Sequence, residues 1–127
     1  MDTGNFGENL AVKYLKKQGY KILSRNFRAK FGELDIVCQK GRLLVFVEVK
    51  TAVNDSRFAT SHLRLFSPEQ HFTKQKIARL KHAIEIFLMK NKINPEISQR
   101  LDLVAIELDE NCELKDLRHY ENVSDSL

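Results

Sequence analysis

The dipeptide Gly41-Arg42 constrains the fold of this chain more than any other feature, because it lies between two segments with strand character. Residues 33–39 and 43–51 are both rich in β-branched and other apolar side chains, which is typical of β-strands. A two-residue turn of type II′ requires glycine at its first central position, which Gly41 supplies. The sequence therefore predicts a tight antiparallel hairpin whose register is fixed by the turn.

This register places Asp35 opposite Glu48, and Glu33 opposite Lys50. Directly opposed residues have Cβ atoms about 4.5–5.5 Å apart, and like charges at that separation destabilise a sheet. A divalent cation between the carboxylates removes this repulsion, and Mg²⁺ binds carboxylates together with waters and phosphate oxygens. Lys50 shares a strand face with Glu48 and could hold or polarise an attacking water. Asp35, Glu48 and Lys50 therefore predict a metal-dependent centre for phosphodiester hydrolysis.

Each of these residues also has a purely structural interpretation. A Glu-x-Lys pair near a strand end is commonly solvated charge, and Glu33 could be no more than an ion-pair partner of Lys50. Both strands nevertheless carry apolar residues on both faces, which is typical of buried strands. A buried charge requires an opposite charge or a metal, so burial favours a functional interpretation of Asp35 and Glu48.

A helix is predicted over residues 5–18, where apolar side chains recur at helical spacing. Asn5 and Glu8 have the spacing of a capping box, and Gly19 supplies a C-terminal stop. Glu8 therefore has two interpretations. It either caps the helix, or it points inward to the same centre as Asp35, since it shares a helix face with apolar residues.

The rest of the chain contains weaker or shorter signals. They predict a strand over residues 20–29, a loop over 52–66, a helix that begins at Ser67-Pro68 and runs to about residue 91, a strand over 101–108 and an edge strand over 113–120. The order αβββαββ indicates one α/β domain, a central mixed sheet flanked by helices, over residues 1–120. Residues 121–127 form a short acidic tail.

The charge of the chain is distributed unevenly. Residues 1–106 contain 19 Lys and Arg against 10 Asp and Glu, a net charge of +9, whereas residues 107–127 contain 2 against 7, a net charge of −5. A basic body favours polyanionic partners, because neutralising phosphates releases counterions. The longest apolar run, residues 43–47, is too short to span a membrane, and no secretory signal is visible, so we expect a cytoplasmic location without membrane partners.

Several basic residues are candidates for contacting a nucleic acid. Arg25 and Arg28 lie at the end of the first predicted strand, and Lys76 borders the apolar stripe of the second predicted helix, where it could reach a phosphate. Further basic side chains on that helix are Lys74, Arg79, Lys81 and His82. For any single one of them, a plain solvated helix face is the alternative. Neither the histidines nor Cys38 and Cys112 have the spacing of a zinc site, and Cys38 is predicted to be a core residue.

A set of short motifs resembles the YraN-like family of small bacterial proteins over almost the whole chain. The motifs are Gly7-Glu8-x-x-Ala11, Arg25-Asn26-Phe27-Arg28, Phe31-Gly32-Glu33-Leu34-Asp35, Val45-Phe46-Val47-Glu48-Val49-Lys50-Thr51 and Arg100-Leu101-Asp102. That family in turn resembles the PD-(D/E)xK restriction-endonuclease-like superfamily, which includes archaeal Holliday-junction resolvases. The resemblance implies Asp35 and Glu48 as metal ligands, assisted by the Val49 carbonyl. It further implies Lys50 as the catalytic lysine and Glu8 as an acidic residue from the first helix.

The chain departs from the family pattern at one position. The family usually continues the lysine motif as Lys-Thr-Arg, whereas Ala52 follows Thr51 here. Arg57 is a candidate to replace the missing arginine, which otherwise is absent from the site.

These observations lead to one principal hypothesis and two rivals. The principal hypothesis is a Mg²⁺- or Mn²⁺-dependent endonuclease that acts on DNA, including branched or damaged DNA. The first rival is a nucleic-acid-binding module of the same fold with little or no turnover, and the second is a protein whose basic face binds an acidic partner. Cutting a junction requires two centres, so a homodimer is the assembly that this activity would need.

Overall fold

The computed structural model describes residues 3–53 and 72–123, and within them the chain forms two helices and five strands. In chain order these are α1 (Thr3–Lys17), β1 (Lys21–Ala29), β2 (Gly32–Lys40), β3 (Leu43–Val53), α2 (Lys74–Lys90), β4 (Gln99–Leu108) and β5 (Leu114–Tyr120). The predicted order αβββαββ is confirmed. The predicted loop over residues 52–66 is wrong at its start, because β3 extends to Val53, and its remainder lies outside the described residues.

The five strands form one sheet in the order β1-β2-β3-β4-β5, in which only β3 and β4 are parallel. An apolar cluster that includes Val45, Val47 and Ile106 joins one face of the sheet to α1, and a second that includes Phe46 and Leu103 joins the other face to α2. The protein is therefore a single α/β domain with a mixed sheet between two helices. This architecture confirms the predicted fold class and is compatible with a restriction-endonuclease-like fold.

Helix α1 starts earlier than predicted and ends as predicted. It begins two residues before Asn5, so the interpretation of Asn5 and Glu8 as a capping box is wrong. At its other end Gly19 has φ of +93°, a left-handed conformation that glycine adopts without strain. The N–H of Tyr20 then donates to the carbonyl of Leu15 at 3.0 Å, which closes a Schellman motif.

The hairpin of β2 and β3 has the predicted turn and register. Gly41 has φ of +60°, and Arg42 is not among the residues with positive φ, which together define a type II′ turn. From this turn the antiparallel pairs continue to Ile36 and Val47. The described ladder ends there, so the predicted pairing is confirmed as far as the residue that precedes Glu48 and not beyond it.

Near the middle of the β1–β2 hairpin, the side chains at alternating positions change from facing α1 to facing α2. Arg25 bonds to α1, whereas Phe27 packs edge-on against α2, although residues two apart in a strand normally share a face. The partner strand behaves in the same way, since Ile36 belongs to the α1 cluster and Leu34 to the α2 cluster. Between Arg25 and Phe27 lies Asn26, with φ of +54°, a conformation that asparagine tolerates better than most residues. The tip of this hairpin is therefore turned relative to the rest of the sheet.

Helix α2 begins later than predicted. Phe72 and Thr73 are not helical, and the Thr73 hydroxyl accepts the N–H of Lys76 at 3.1 Å, which is the geometry of an N-cap. A continuous helix from Pro68 to residue 91 is therefore wrong, and the predicted cap at Ser67 lies outside the described residues. The predicted apolar stripe does pack on the sheet, through Ile77, Leu80, Ile84, Phe87 and Leu88.

The chain remains attached to the domain after β5. Val123 is 3% exposed and belongs to the α2 cluster, and the N–H of Asn122 donates to Asp102 at 3.0 Å.

Cys38 is fully buried, as predicted, and burial raises the pKa of its thiol to about 12. No helix in the described part of the chain is both long and apolar enough to cross a membrane.

Candidate functional site

Asp35 lies where the ladders on both sides of β2 are interrupted. Along β2 it would face Asn26, but neither residue takes part in the described pairing of β1 and β2. On the other side, Asp35 Oδ2 accepts the backbone N–H of Val49 at 2.9 Å, past the last pair of β2 and β3. The carboxylate of Asp35 thus occupies the place that a strand carbonyl would take in a continuous ladder.

The carboxyl group of Asp35 is difficult to ionise in this environment. Burial raises its pKa most, the charge of Glu48 raises it further, and the hydrogen bond from Val49 lowers it. The charges of Glu8 and Glu33 add to the rise, and the resulting pKa is about 7. Three other carboxylates are therefore close enough to Asp35 for their charge to act on it.

Glu48 lies on the α2 face of β3 together with Phe46 and is 6% exposed. Its Oε2 atom forms an ion pair with Nζ of Lys76, on α2, at 3.2 Å. Lys50 follows two residues later on the same strand, so side-chain alternation places it on the same face, where it is exposed. The structure therefore brings Lys50 and Lys76 to the same side of the sheet as Glu48.

Glu8 reaches the site from α1 because the helix approaches β3 very closely. A Cβ atom added to Gly7 would overlap Oγ1 of Thr51, so only glycine permits this approach. The Thr51 hydroxyl is buried and has no hydrogen-bond partner in the described residues. With its amide nitrogen turned toward α1, Asn26 donates to Glu8 Oε1 at 2.9 Å and orients that carboxylate.

The donor set at this point fits a hard divalent cation. A strand residue presents its N–H and C=O to the same neighbour, so the Val49 carbonyl faces the β2 side, as its N–H does. In the described part of the chain, no three His, Cys, Asp or Glu side chains gather as a ready-made metal cluster. Two carboxylates and one carbonyl are nevertheless sufficient for Mg²⁺, which keeps several waters and takes further oxygens from phosphate. Asp35, Glu48 and Val49 are thus the residues that could hold such an ion.

The candidate nucleic-acid residues are divided between two sides of the molecule. Arg28, Lys76 and Arg79 line one cavity of about 770 Å³ together with Glu33 and Glu48. Arg25 points to the α1 side, where its Nη2 atom donates to Asn9 Oδ1 at 2.7 Å. Lys74 is exposed in the first turn of α2 and is not among the residues that line this cavity. Three of the five cations therefore lie at the candidate centre.

A second polar network lies away from these carboxylates. Asp102 is fully buried and accepts hydrogen bonds from the Arg100 guanidinium at 2.8 Å, while His119 Nε2 lies 2.7 Å from its Oδ2 atom. The same guanidinium donates to the Tyr20 hydroxyl at 2.6 Å, and the Tyr14 hydroxyl lies 2.9 Å from His119 Nδ1. This network connects α1, β4 and β5.

Sequence reasoning missed two residues of the candidate site. Asn26 orients Glu8, and the available signal was an asparagine inside a strand, where this residue is depleted. Phe31 lines the cavity although its side chain is 63% exposed. The available signal there was an aromatic residue between Lys30 and Gly32, at a turn where polar residues are usual.

Comparison with known proteins gives one consistent family. The model of the uncharacterised protein family UPF0102 matches residues 7–106. A UPF0102 protein of Syntrophomonas wolfei is 46% identical over 106 residues, which cover 83% of this chain and 84% of the relative. A UPF0102 protein of Carboxydothermus hydrogenoformans is 38% identical, and the match covers 98% of this chain and 96% of the relative. One of Caldicellulosiruptor saccharolyticus is 37% identical, and the match covers 95% of each chain. This agrees with the YraN-like resemblance of the motifs, and the chain belongs to the uncharacterised protein family UPF0102.

Proposed function

We propose that this protein is a metal-dependent phosphodiester hydrolase that cleaves DNA. One observation supports the proposal: the carboxyl groups of Asp35 and Glu48 come from neighbouring strands, and burial together with the charge of Glu48 raises the pKa of Asp35 to about 7. Such an arrangement is unfavourable for stability alone, since like charges in a partly buried position repel. A protein that only binds nucleic acid does not require it.

The residues present suit Mg²⁺ or Mn²⁺ as the cofactor. Asp35 and Glu48 would hold the ion through their carboxylates, and the Val49 carbonyl faces the same gap between β2 and β3. When bound, a divalent ion supplies Lewis-acid stabilisation of the charge that develops on a phosphate. Glu8, oriented by Asn26, adds a third acidic group at the edge of this gap.

Two lysines, Lys50 and Lys76, have different roles in the proposed reaction. The exposed amine of Lys50 lies on the face of Glu48, where it can orient an attacking water and offset the negative charge of the phosphate. Lys76 compensates Glu48 at 3.2 Å and borders the cavity into which a substrate strand would enter. The basic body of the chain, with a net charge of +9 over residues 1–106, favours a polyanionic substrate.

The test is a cleavage assay with purified protein on linear, flapped and four-way-junction DNA, in Mg²⁺, Mn²⁺ or EDTA. We expect cleavage that requires the metal and falls at least about 100-fold, on the order of 3 kcal/mol in the barrier, in Asp35→Ala and in Lys50→Ala. Lys40→Ala is the matched control, since Lys40 is an exposed lysine at the opposite end of the same hairpin. Its rate should be unchanged.

Two results would count against hydrolysis. Cleavage that survives Asp35→Ala would assign the activity to a contaminant. DNA binding that persists in both variants, with no cleavage by the wild type in either metal, would favour a binding module of the same fold. Cleavage of four-way junctions by paired incisions would further require a homodimer, which sedimentation at assay concentrations can detect.

A further inference from the structure

We propose that the cavity beside the candidate centre receives one unpaired nucleotide of the substrate strand, with its base against Phe31. The preferred substrate is then a strand that is single, frayed or flipped out next to the scissile phosphate. This inference rests on the proposed hydrolase function, because it names the substrate of the same site.

The cavity has the size of a small-ligand site. Its volume of about 770 Å³ falls within the usual range of about 300–1,000 Å³ for small-molecule pockets. A single nucleotide fits within such a volume. Glu48 is among the lining residues, so a nucleotide in the cavity lies next to the proposed metal ligands.

Phe31 supplies an aromatic surface at the cavity. Its side chain is 63% exposed at the tip of the β1–β2 hairpin, and Lys30 Nζ lies 5.3 Å from the centre of its ring. The His82 ring lies 6.0 Å away, centre to centre, on α2. An exposed aromatic ring among cations is the usual platform on which an unpaired base stacks, because every base has a π-face.

The position of Phe31 is fixed by its neighbour. A Cβ atom added to Gly32 would overlap the backbone carbonyl oxygen of Arg79, so the hairpin tip rests directly on the backbone of α2. The other strand of the hairpin rests on the same helix, since Phe27 packs edge-on against Phe87 at 5.2 Å between ring centres. The backbone that carries Phe31 at the cavity is therefore held in place by its contacts with α2.

Two guanidinium groups beside this ring are available for phosphate. Arg28 and Arg79 both line the cavity, and neither forms an ion pair within residues 3–53 and 72–123. Guanidinium groups bind phosphate oxygens in a bidentate manner, which is stronger than a single contact. An aromatic surface, two such groups and Lys76 around one small space match a nucleotide, with the base at Phe31 and the phosphate toward α2.

Binding of labelled DNA tests the inference without turnover. Three oligonucleotides of one sequence are compared in EDTA: fully paired, paired with one unpaired 2-aminopurine, and single-stranded. The protein variants are Phe31→Ala, Phe31→Trp and the matched control Met89→Ala, which removes another exposed apolar side chain, at the far end of α2. Fluorescence of 2-aminopurine reports stacking, and anisotropy of an end label reports affinity.

We expect the wild type to bind the two unpaired substrates more tightly than the duplex and to quench 2-aminopurine. Phe31→Ala should weaken binding of the unpaired substrates about 5- to 150-fold, the range for loss of one stacked base, and abolish the quenching. Phe31→Trp should retain both, and Met89→Ala should resemble the wild type. Equal affinity for paired and unpaired DNA, or unchanged affinity in Phe31→Ala, would overturn the inference.

Cleavage assays on the same oligonucleotides separate this inference from the proposed function. Metal-dependent cleavage of the duplex that does not respond to Phe31→Ala would leave the hydrolase and overturn the nucleotide cavity. Binding that depends on Phe31, without cleavage in Mg²⁺ or Mn²⁺, would support the cavity and overturn the hydrolase.

Discussion

The carboxyl group of Asp35 accepts the backbone N–H of Val49 at 2.9 Å, immediately after the last backbone pair of β2 and β3. A side chain here replaces a backbone acceptor, so the place where the sheet opens is also the place where carboxylates gather. The same hydrogen bond opposes the pKa rise that burial and the charge of Glu48 impose on Asp35.

Replacing Asp35 by asparagine should stabilise the metal-free protein at pH 8. Folding raises the pKa of the Asp35 carboxyl from its ordinary value of 3.8 to about 7. The free energy of unfolding of the protein therefore falls as pH rises from 3.8 to about 7, and it stays reduced above that pH. The asparagine side chain carries no charge, and the gain should be on the order of 1–3 kcal/mol at pH 8, vanishing near pH 4. Urea unfolding in EDTA measures this gain, with Glu96→Gln as the control, since Glu96 is exposed and does not line the cavity.

The wild type should gain stability from Mg²⁺ or Mn²⁺, while Asp35→Asn should not. A ligand that binds only the folded protein stabilises it by about 2.7 kcal/mol at a hundred times its Kd, which raises the Tm by several degrees. Thermal unfolding over a metal titration measures the effect. If Asp35→Asn and the wild type respond equally, the ion binds elsewhere.

Replacing Gly7 by alanine should destabilise the protein and displace Glu8. The added methyl group overlaps Oγ1 of Thr51, and we expect a net loss of about 1–3 kcal/mol despite the higher helix propensity of alanine. Thr51→Ala removes that oxygen, which has no hydrogen-bond partner in the described residues. The double variant should therefore recover part of both stability and cleavage, and a double-mutant cycle by urea unfolding measures the coupling. Simple additivity of the two changes would contradict the close approach.

Acid should destabilise the network around Asp102. Burial alone would raise the pKa of this carboxyl, but hydrogen bonds from His119, Arg100 and the Asn122 N–H together lower it below 3.8. The stabilisation it gives is therefore complete above its unfolded pKa and is lost as pH falls through the lower folded value.

Asp102→Asn should cost about 3–5 kcal/mol at neutral pH, because it removes the buried charge partner of Arg100 and leaves only the exposed Glu121, 3.7 Å away. The same substitution should also reduce the dependence of the free energy of unfolding on pH below pH 4. Urea unfolding across a pH series measures this dependence. Asp116→Asn, in an exposed pair with Arg118, should change the stability by no more than about 0.5 kcal/mol.

The parts of the fold that sequence predicts well are those set by neighbouring residues. Gly41 alone fixes the turn of the β2–β3 hairpin, and the register follows from it as far as Ile36 and Val47. The sequence predicts the pairing of Asp35 with Glu48 as a continuation of that ladder. The structure reaches the same proximity differently, through a side chain that bonds to the backbone of Val49.

Other parts depend on contacts between residues distant in the chain. Asn5 and Glu8 have the spacing of a capping box, but the position of Glu8 is set by Asn26 on β1 and by the close approach of Gly7 to β3. Arg25 and Arg28 are similar candidates in the sequence, yet Arg25 donates to Asn9 of α1 whereas Arg28 lines the cavity, and both positions are defined by residues distant in the chain. No local pattern predicts either result.

The exchange of faces at Asn26 makes the hairpin tip a separable unit. Residues 27–34 take their orientation from α2, whereas Asp35 is held by β3. A tip of another length or composition could thus be grafted onto this scaffold without moving the acidic pair.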